Sequence, residues 1–248
     1  MLNLHTKIPV CELYSAIQGE GKYAGIPHIL IRTMGCRCKC KFCDSWFTSW
    51  SPEKSIGVTY DSIDNLINKH LQITYAMITG GAPTIHPTVI QNIYRMFKDY
   101  SYKIVTLETE GASFVPKCAD FISLSPKFSN STPVEGDIYH FLKRAVKRSE
   151  VEQHEKNRKN YVAMKQYMEE YADYQIKPVI SSIMDFEELK QLQDILKFPS
   201  NKVYCMPEGM TNEELQQKRI WVANICIQEG YNYTDRLHTI IYGPKRGV

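Results

Sequence analysis

Apolar positions along the 248-residue chain fall into two alternating rhythms. Short β-rich runs appear at HILIR (28–32), YAMIT (75–79), KIVTLE (103–108), DFISLS (120–125), IKPVI (176–180) and KVYCM (202–206). Between them the spacing turns helical. Ile63, Leu66, Ile67 and His70 share one face, as do Ile90, Ile93, Tyr94 and Phe97. Phe186, Leu189 and Leu196 continue the pattern, followed by Val222, Ile225 and Cys226. Strands alternating with helices imply right-handed crossovers and a parallel sheet. Six such strands suit a partial, open barrel better than a closed eightfold one. Pro178 has no N–H for a ladder, which weakens the fifth strand or sets it near an edge. The expected fold class is therefore α/β, an open parallel β/α barrel.

One segment breaks the rhythm. Residues 137–174 form a long charged stretch in which Tyr161, Met164, Met168 and Tyr171 recur at helical spacing. It reads as a helical insertion between the fourth and fifth strands, packed by one face. Its mixed charges mark a solvated surface, with nucleic-acid or partner contact as the minor alternative. No clear linker sets it apart, so the chain reads as one domain, 1–248.

Composition narrows the class only a little. No apolar run approaches the length of a membrane span, and the first residues lack a secretory apolar core. A cytoplasmic address is expected, with no membrane partner and with the eight cysteines mostly reduced. The net charge of +3 neither demands nor excludes nucleic acid, which is not an expected partner.

The cysteines are placed unevenly. Cys36, Cys38, Cys40 and Cys43 crowd into eight residues just after HILIR, whereas Cys11, Cys118, Cys205 and Cys226 are single and read as core thiols. Four thiolates could close a tetrahedral zinc site, but such sites usually join two separated pairs, and a second CxxC pair is missing. Without Cys38 the spacing is Cys36-x3-Cys40-x2-Cys43. Three thiolates hold three irons of a cubane and leave the fourth iron without a protein ligand. An open coordination position is what allows a metal centre to do chemistry.

This spacing, with Phe42 before the last cysteine, resembles the radical S-adenosylmethionine (SAM) enzymes. The resemblance implies a [4Fe–4S] cluster on Cys36, Cys40 and Cys43, SAM chelated at the open iron, and a 5′-deoxyadenosyl radical made from it. Cys38 is then a spare, expected to point away. Three further strand-end motifs suit SAM: TGGAP (79–83), SLSPK (123–127) and CMPEG (205–209). The implied SAM-binding residues are Phe42, Cys43, Asp44, Gly80, Gly81, Ser125, Pro126, Lys127, Met206, Pro207 and Glu208. Glycines at a strand end let backbone approach the ligand closely. Ala82 stands where these enzymes usually carry glutamate, so the SAM amine must lean on iron and backbone carbonyls.

Within that superfamily, ELYSAIQGEGKYAGIPHILIRTMGC is similar to the opening of the 7-carboxy-7-deazaguanine synthase family. The similarity continues through CDSW, LETEG (107–111) and the C-terminal RLHTIIYGPKRGV, sparing only the helical insertion. It implies ring contraction of 6-carboxy-5,6,7,8-tetrahydropterin with loss of ammonia, for deazapurines of the queuosine or archaeosine type. A pterin edge presents N–H donors beside a carbonyl, which calls for carboxylates with an amide or backbone donor. Ile17, Gln18, Gly19 and Glu20, with Thr79 and Glu108, supply these. Arg32 is the expected bidentate partner of the substrate carboxylate, with His238 as a second. His28, His70 and His86 read as structural. The resemblance also implies Mg²⁺ on the Ser45 hydroxyl, an external electron donor of the flavodoxin or ferredoxin kind, and a homodimer. A glycyl-radical activase would share the small barrel and the cluster, but would leave IQGEG, LETEG and RLHT unexplained.

Overall fold

The computed structural model describes residues 2–52, 57–243 and 245–247; Met1, residues 53–56, Pro244 and Val248 lie outside the described residues. Pro244 and Val248 belong to the C-terminal motif. Six strands lie side by side in chain order: β1 (Val10–Ile17), β2 (Pro27–Thr33), β3 (Tyr75–Gly80), β4 (Ile104–Thr109), β5 (Phe121–Leu124) and β6 (Tyr174–Ile176). A three-stranded sheet follows, made of β7 (Val179–Ile180), β8 (Tyr204–Pro207) and β9 (Asn232–Tyr233). A parallel bridge from Ile176 to Val203 joins the two, so the strands continue round as an open barrel. Every strand pair is parallel except β1 with β2.

Several details differ from the sequence reading, the short β9 among them. HILIR is the second strand, because the antiparallel β1 precedes it. Only Val10 and Cys11 of β1 are buried, so its sequence lacks the alternation that marks a half-buried strand. The run IKPVI is broken at Pro178 into β6 and β7, as the missing N–H requires. Lys177 N still reaches Leu124 O (2.7 Å), and the Pro178 carbonyl accepts from Met206 N (3.1 Å).

The helices are α1 (Trp46–Ser49), α2 (Tyr60–Lys69), α3 (Pro87–Asp99), α4 (Arg148–Arg158), α5 (Tyr161–Glu170), α6 (Ile183–Leu196), α7 (Asn212–Glu229) and α8 (Leu237–Tyr242). Local chemistry fixes their ends. Thr59 and Thr211 form reciprocal capping boxes with Ser62 and Glu214, and Gly230 ends α7 in the left-handed conformation. The apolar faces named above meet the sheet: Ile63, Ile67, Ile90, Ile93, Phe97, Phe186, Leu189 and Val222 are buried in one core cluster with Ile29, Ile31, Ile78 and Val105. Each such side chain contributes about 1.5–3 kcal/mol through burial.

The insertion is helical only from Arg148. Before it, Phe141, Leu142 and Val146 pack on Trp50 in a small satellite core that includes Cys43 at its edge. Tyr174 belongs to β6 rather than to a helix. On α5, Met164 and the following Tyr171 enter the main core as their spacing predicts, Tyr161 and Met168 pack against it half-buried, and Tyr167, which the spacing did not single out, is buried there as well. The α4 helix is held by charge, with Arg158 paired to Glu155 and to Glu188, both at 2.7 Å. Among the described residues no helix is long and apolar enough to cross a membrane.

Candidate active site

A cavity of about 310 Å³ opens where β2, β3, β4, β5 and β8 end. Parallel strands bring their carboxyl ends to one rim, which is where open α/β sheets place ligands. The loop after β1 completes the wall from the opposite side. It crosses towards the far edge of the barrel, with Gly21 N on Thr234 Oγ1 (2.7 Å) and Lys22 N on Gln175 Oε1 (2.8 Å).

The cysteine loop that follows β2 is firmly tied. Gly35 N donates to Thr48 O (2.6 Å), Ala82 N to Gly35 O (2.7 Å) and Gly81 N to Thr33 O (3.1 Å). A Cβ on Gly81 would overlap the Gly35 carbonyl, and one on Gly80 would overlap Thr33 backbone. The glycines of TGGAP are thus required by the close approach of the cysteine loop itself, as well as lining the cavity. Lys39 N reaches His154 Nδ1 (2.9 Å) of the insertion and Lys41 N reaches Ser131 O (2.9 Å) in the turn after β5, so both segments hold this loop from outside.

Cys36, Cys40 and Cys43 all line the cavity. Cys38 does too, at 1% exposure. Its thiol is close enough to Cys36 and Cys40 for mutual repulsion. Burial first, then neighbouring acidic groups, raise the thiols: Cys43 is pushed up to about 12, and Cys36 and Cys38 well above the ordinary range. Free thiols here keep their protons at neutral pH, and metal loading must displace them. Among the described residues no three His, Cys, Asp or Glu side chains surround a single-ion site. A cubane asks for something different, one thiolate on each of three irons, and the thiols of Cys36, Cys40 and Cys43 on one cavity wall are the right donors for it.

The facing wall is ionic. Lys177, 2% exposed, pairs with Glu20 and with Glu108 (2.6 Å). Arg236 pairs with Glu20 (3.2 Å) and with Asp44, and donates to Gly209 O (2.5 Å). Burial alone would raise the Glu20 carboxyl, but Lys177 and Arg236 overcome it and hold the group well below the usual carboxylate range. Thr79 Oγ1 donates to Glu108 Oε2 (2.7 Å). Arg32 reaches Glu12 (2.8 Å), Tyr14 (3.3 Å) and the Ser45 hydroxyl (3.2 Å), and Ser45 in turn donates to Asp44 (3.0 Å). Ser45 Oγ is thus shared by a cation and a carboxylate, and its oxygen would suit a hard cation only if Arg32 turns to another partner. Lys127 donates to Ser125 Oγ (2.7 Å).

His238 sits directly over Gly19, where a Cβ would overlap its ring, and Leu237 N donates to Gly19 O (2.9 Å). The IQGEG and RLHT motifs occur together because they pack on each other. Of the residues predicted from sequence, Ile17, Gln18, Gly19, Glu20, Arg32, Phe42, Cys43, Asp44, Ser45, Thr79, Gly80, Gly81, Glu108, Ser125, Lys127, Met206, Pro207, Glu208 and His238 line this cavity with Cys36 and Cys40. Pro126 lies instead on a neighbouring cavity with Phe128 and Arg158. His28 and His86 bond to backbone oxygens and His70 to Ser15, as structural histidines do.

Sequence reading missed Lys177, Arg236 and Glu110. Lys177 shares its strand face with Gln175, opposite Ile176, and a lysine at such a position is the available signal. Glu110 is 4% exposed, lines the cavity, and is raised by burial.

Solved structures with this fold include QueE from Escherichia coli (TM-score 0.61, 19% identity, 94% of this chain and 96% of that one). Another is SuiB from Streptococcus suis bound to S-adenosylmethionine (TM-score 0.51, 14% identity, 84% of this chain and 50% of that one). The fold is that of the radical SAM enzymes. No family profile matches the chain. It is 31% identical over 242 residues to the 7-carboxy-7-deazaguanine synthase of Halobacterium salinarum, covering 95% of this chain and 90% of that protein. It is 30% identical over 239 residues to that of Rhodopirellula baltica, covering 96% and 88%. The chain belongs to the 7-carboxy-7-deazaguanine synthase family.

Proposed function

We propose that this chain converts 6-carboxy-5,6,7,8-tetrahydropterin to 7-carboxy-7-deazaguanine with release of ammonia, as a carbon–nitrogen lyase. The observation that carries the reading is the meeting, in one cavity, of three thiols with the ion network of Glu20, Lys177, Glu108 and Arg32. When bound, a [4Fe–4S] cluster and SAM supply the one-electron chemistry for hydrogen abstraction.

The residues of this chain bind, orient and shield. Cys36, Cys40 and Cys43 hold the cluster, and Lys127 with Ser125 holds the carboxylate and ribose of SAM. Glu20 and Glu108 accept from the pterin N–H groups; both are already fixed by Lys177, so no reorganisation is needed when substrate arrives. Arg32 turns its guanidinium to the substrate carboxylate, with His238 beside it. That turn frees Ser45 Oγ for Mg²⁺, which explains why the cation would bind together with substrate rather than before it. Residues 137–174 act as an outer cover within a single domain. Trp50 and Phe141 keep water from the Cys43 side, where water would quench a radical.

The test is anaerobic incubation of the reconstituted protein with SAM, a reductant, Mg²⁺ and carboxytetrahydropterin. Deazaguanine product is expected. SAM cleavage without that product overturns the assignment in favour of another radical SAM activity.

A further inference from the structure

Among the described residues, Glu110 is the one carboxylate lining the cavity that makes no ion pair, with Lys127 and Arg37 acting on it only from a distance. Its Oε2 lies 3.5 Å from Thr109 Oγ1, while Oε1 is shut off from solvent and has no hydrogen-bond partner among the described residues. A buried carboxylate oxygen left in this way is costly, and it persists only where something else satisfies it. The loop that carries it is fixed in place. Gly111 N donates to Thr109 Oγ1 (3.1 Å), Ser113 Oγ to Thr84 Oγ1 (2.9 Å), and Asn160 of the insertion to Ala112 O (3.0 Å). Glu110 is therefore presented at the cavity wall on a clamped loop, beside the thiols of Cys36 and Cys38.

What fits a carboxylate so placed, once its free oxygen turns to the cavity, is a ligand ammonium. The β3 loop, TGGAP, has no carboxylate to offer one. Lys127 does not close on Glu110; it bonds Ser125 instead. The two side chains thus stand apart as an anion and a cation on the thiol side of one cavity. That is the complement of an amino acid's two ends.

We propose that Glu110 is a cofactor-binding residue that accepts a hydrogen bond from the ammonium of SAM, while Lys127 takes its carboxylate. This rests on the reading of the cavity as a SAM site, and it replaces the expectation that iron and backbone carbonyls alone hold the amine.

The experiment measures anaerobic equilibrium binding of SAM, and of its deaminated sulfonium analogue, to cluster-loaded wild-type protein, Glu110→Gln and Glu110→Asp. Cluster content and thermal unfolding are recorded for each. Glu110→Gln is expected to bind SAM at least about tenfold more weakly, with Glu110→Asp between it and wild type. The deaminated analogue should bind all three proteins alike. SAM binding unchanged in Glu110→Gln overturns the assignment, and so does an equal loss for SAM and the analogue, which would mark a structural role. Wild-type protein that carries its cluster yet binds no SAM sinks the SAM-site reading itself, and Glu110 with it.

Discussion

The two walls of the cavity are built on opposite principles. One presents four thiols that keep their protons, a carboxylate without an ion pair among the described residues, and glycines that only let backbones meet. The other is already satisfied: Lys177, Arg236 and Arg32 are each paired before any ligand arrives. A wall of unmet valences waits for a metal and its ligand, because neither is present until loading. A wall of matched charges recognises a polar ring that must be held still, and fixed dipoles and charges do this without reorganising.

This contrast can be broken from either side. The largest effect should follow loss of a cluster thiol. Cys36→Ala, Cys40→Ala or Cys43→Ala is expected to abolish both the absorbance near 400 nm and all SAM cleavage, measured after anaerobic reconstitution. Retained cleavage in any of the three would remove that cysteine from the ligand set.

On the ionic wall, Lys177→Met leaves Glu20 and Glu108 facing each other in a buried site. It should cost about 3–5 kcal/mol in denaturant unfolding at pH 8. The loss should shrink towards pH 5, where the stranded carboxylates can take up a proton. A cost that does not vary with pH would mean packing, not charge, is what Lys177 supplies.

Arg32→Ala should spare SAM cleavage and weaken carboxypterin binding by about tenfold to a hundredfold, read as a rise in KM. An unchanged KM would end its role with the substrate carboxylate.

The walls should also respond to opposite ends of the pH scale. Glu20 titrates lower in the folded protein than in the unfolded chain, so its contribution is present above the ordinary value of 4.5 and is lost as pH falls below it. Cys43 is raised from 9.0 to about 12, so between those values the unfolded chain has lost a proton that the folded one keeps. Metal-free protein should therefore lose stability from about pH 9 upward. Cluster-loaded protein, with its thiols already deprotonated, should not. Identical alkaline unfolding curves for the two forms would contradict the thiol side of the comparison.

The smallest effect is expected for Cys38→Ala. Although the thiol lines the cavity, three ligands suffice, so cluster and cleavage should persist with a stability loss of about 1 kcal/mol. Bleaching of this variant would make Cys38 a ligand.

Much of this was legible in the sequence where a local pattern has one cause. The parallel strands from HILIR to KVYCM and the helices on their apolar faces follow from period alone, and the thiol spacing defines its own chemistry. β1 escaped because an edge strand with mostly half-buried residues shows no alternation. Lys177 and Arg236 escaped for another reason. A lysine or arginine is surface by default, and only the fold reveals that Glu20 lies opposite both, 157 and 216 residues away in the chain. The role of Gly81 was half legible: a glycine at a strand end signals close approach, but not that a loop rather than a ligand makes it. The burial of Cys38 at the cavity was not legible, because spacing says which thiols can converge, not which way an extra one turns.

The packing of His238 on Gly19 bears on how the molecule is made. Glu20 leaves the ribosome 216 residues ahead of Arg236, so the recognition wall cannot exist until Arg236 has emerged. The iron-binding loop emerges long before its opposite side. Newly synthesised protein therefore passes through a stage in which sulfur is exposed to oxidant and stray metal with no pocket around it. Delivery of the cluster into a completed pocket has to follow the emergence of Arg236.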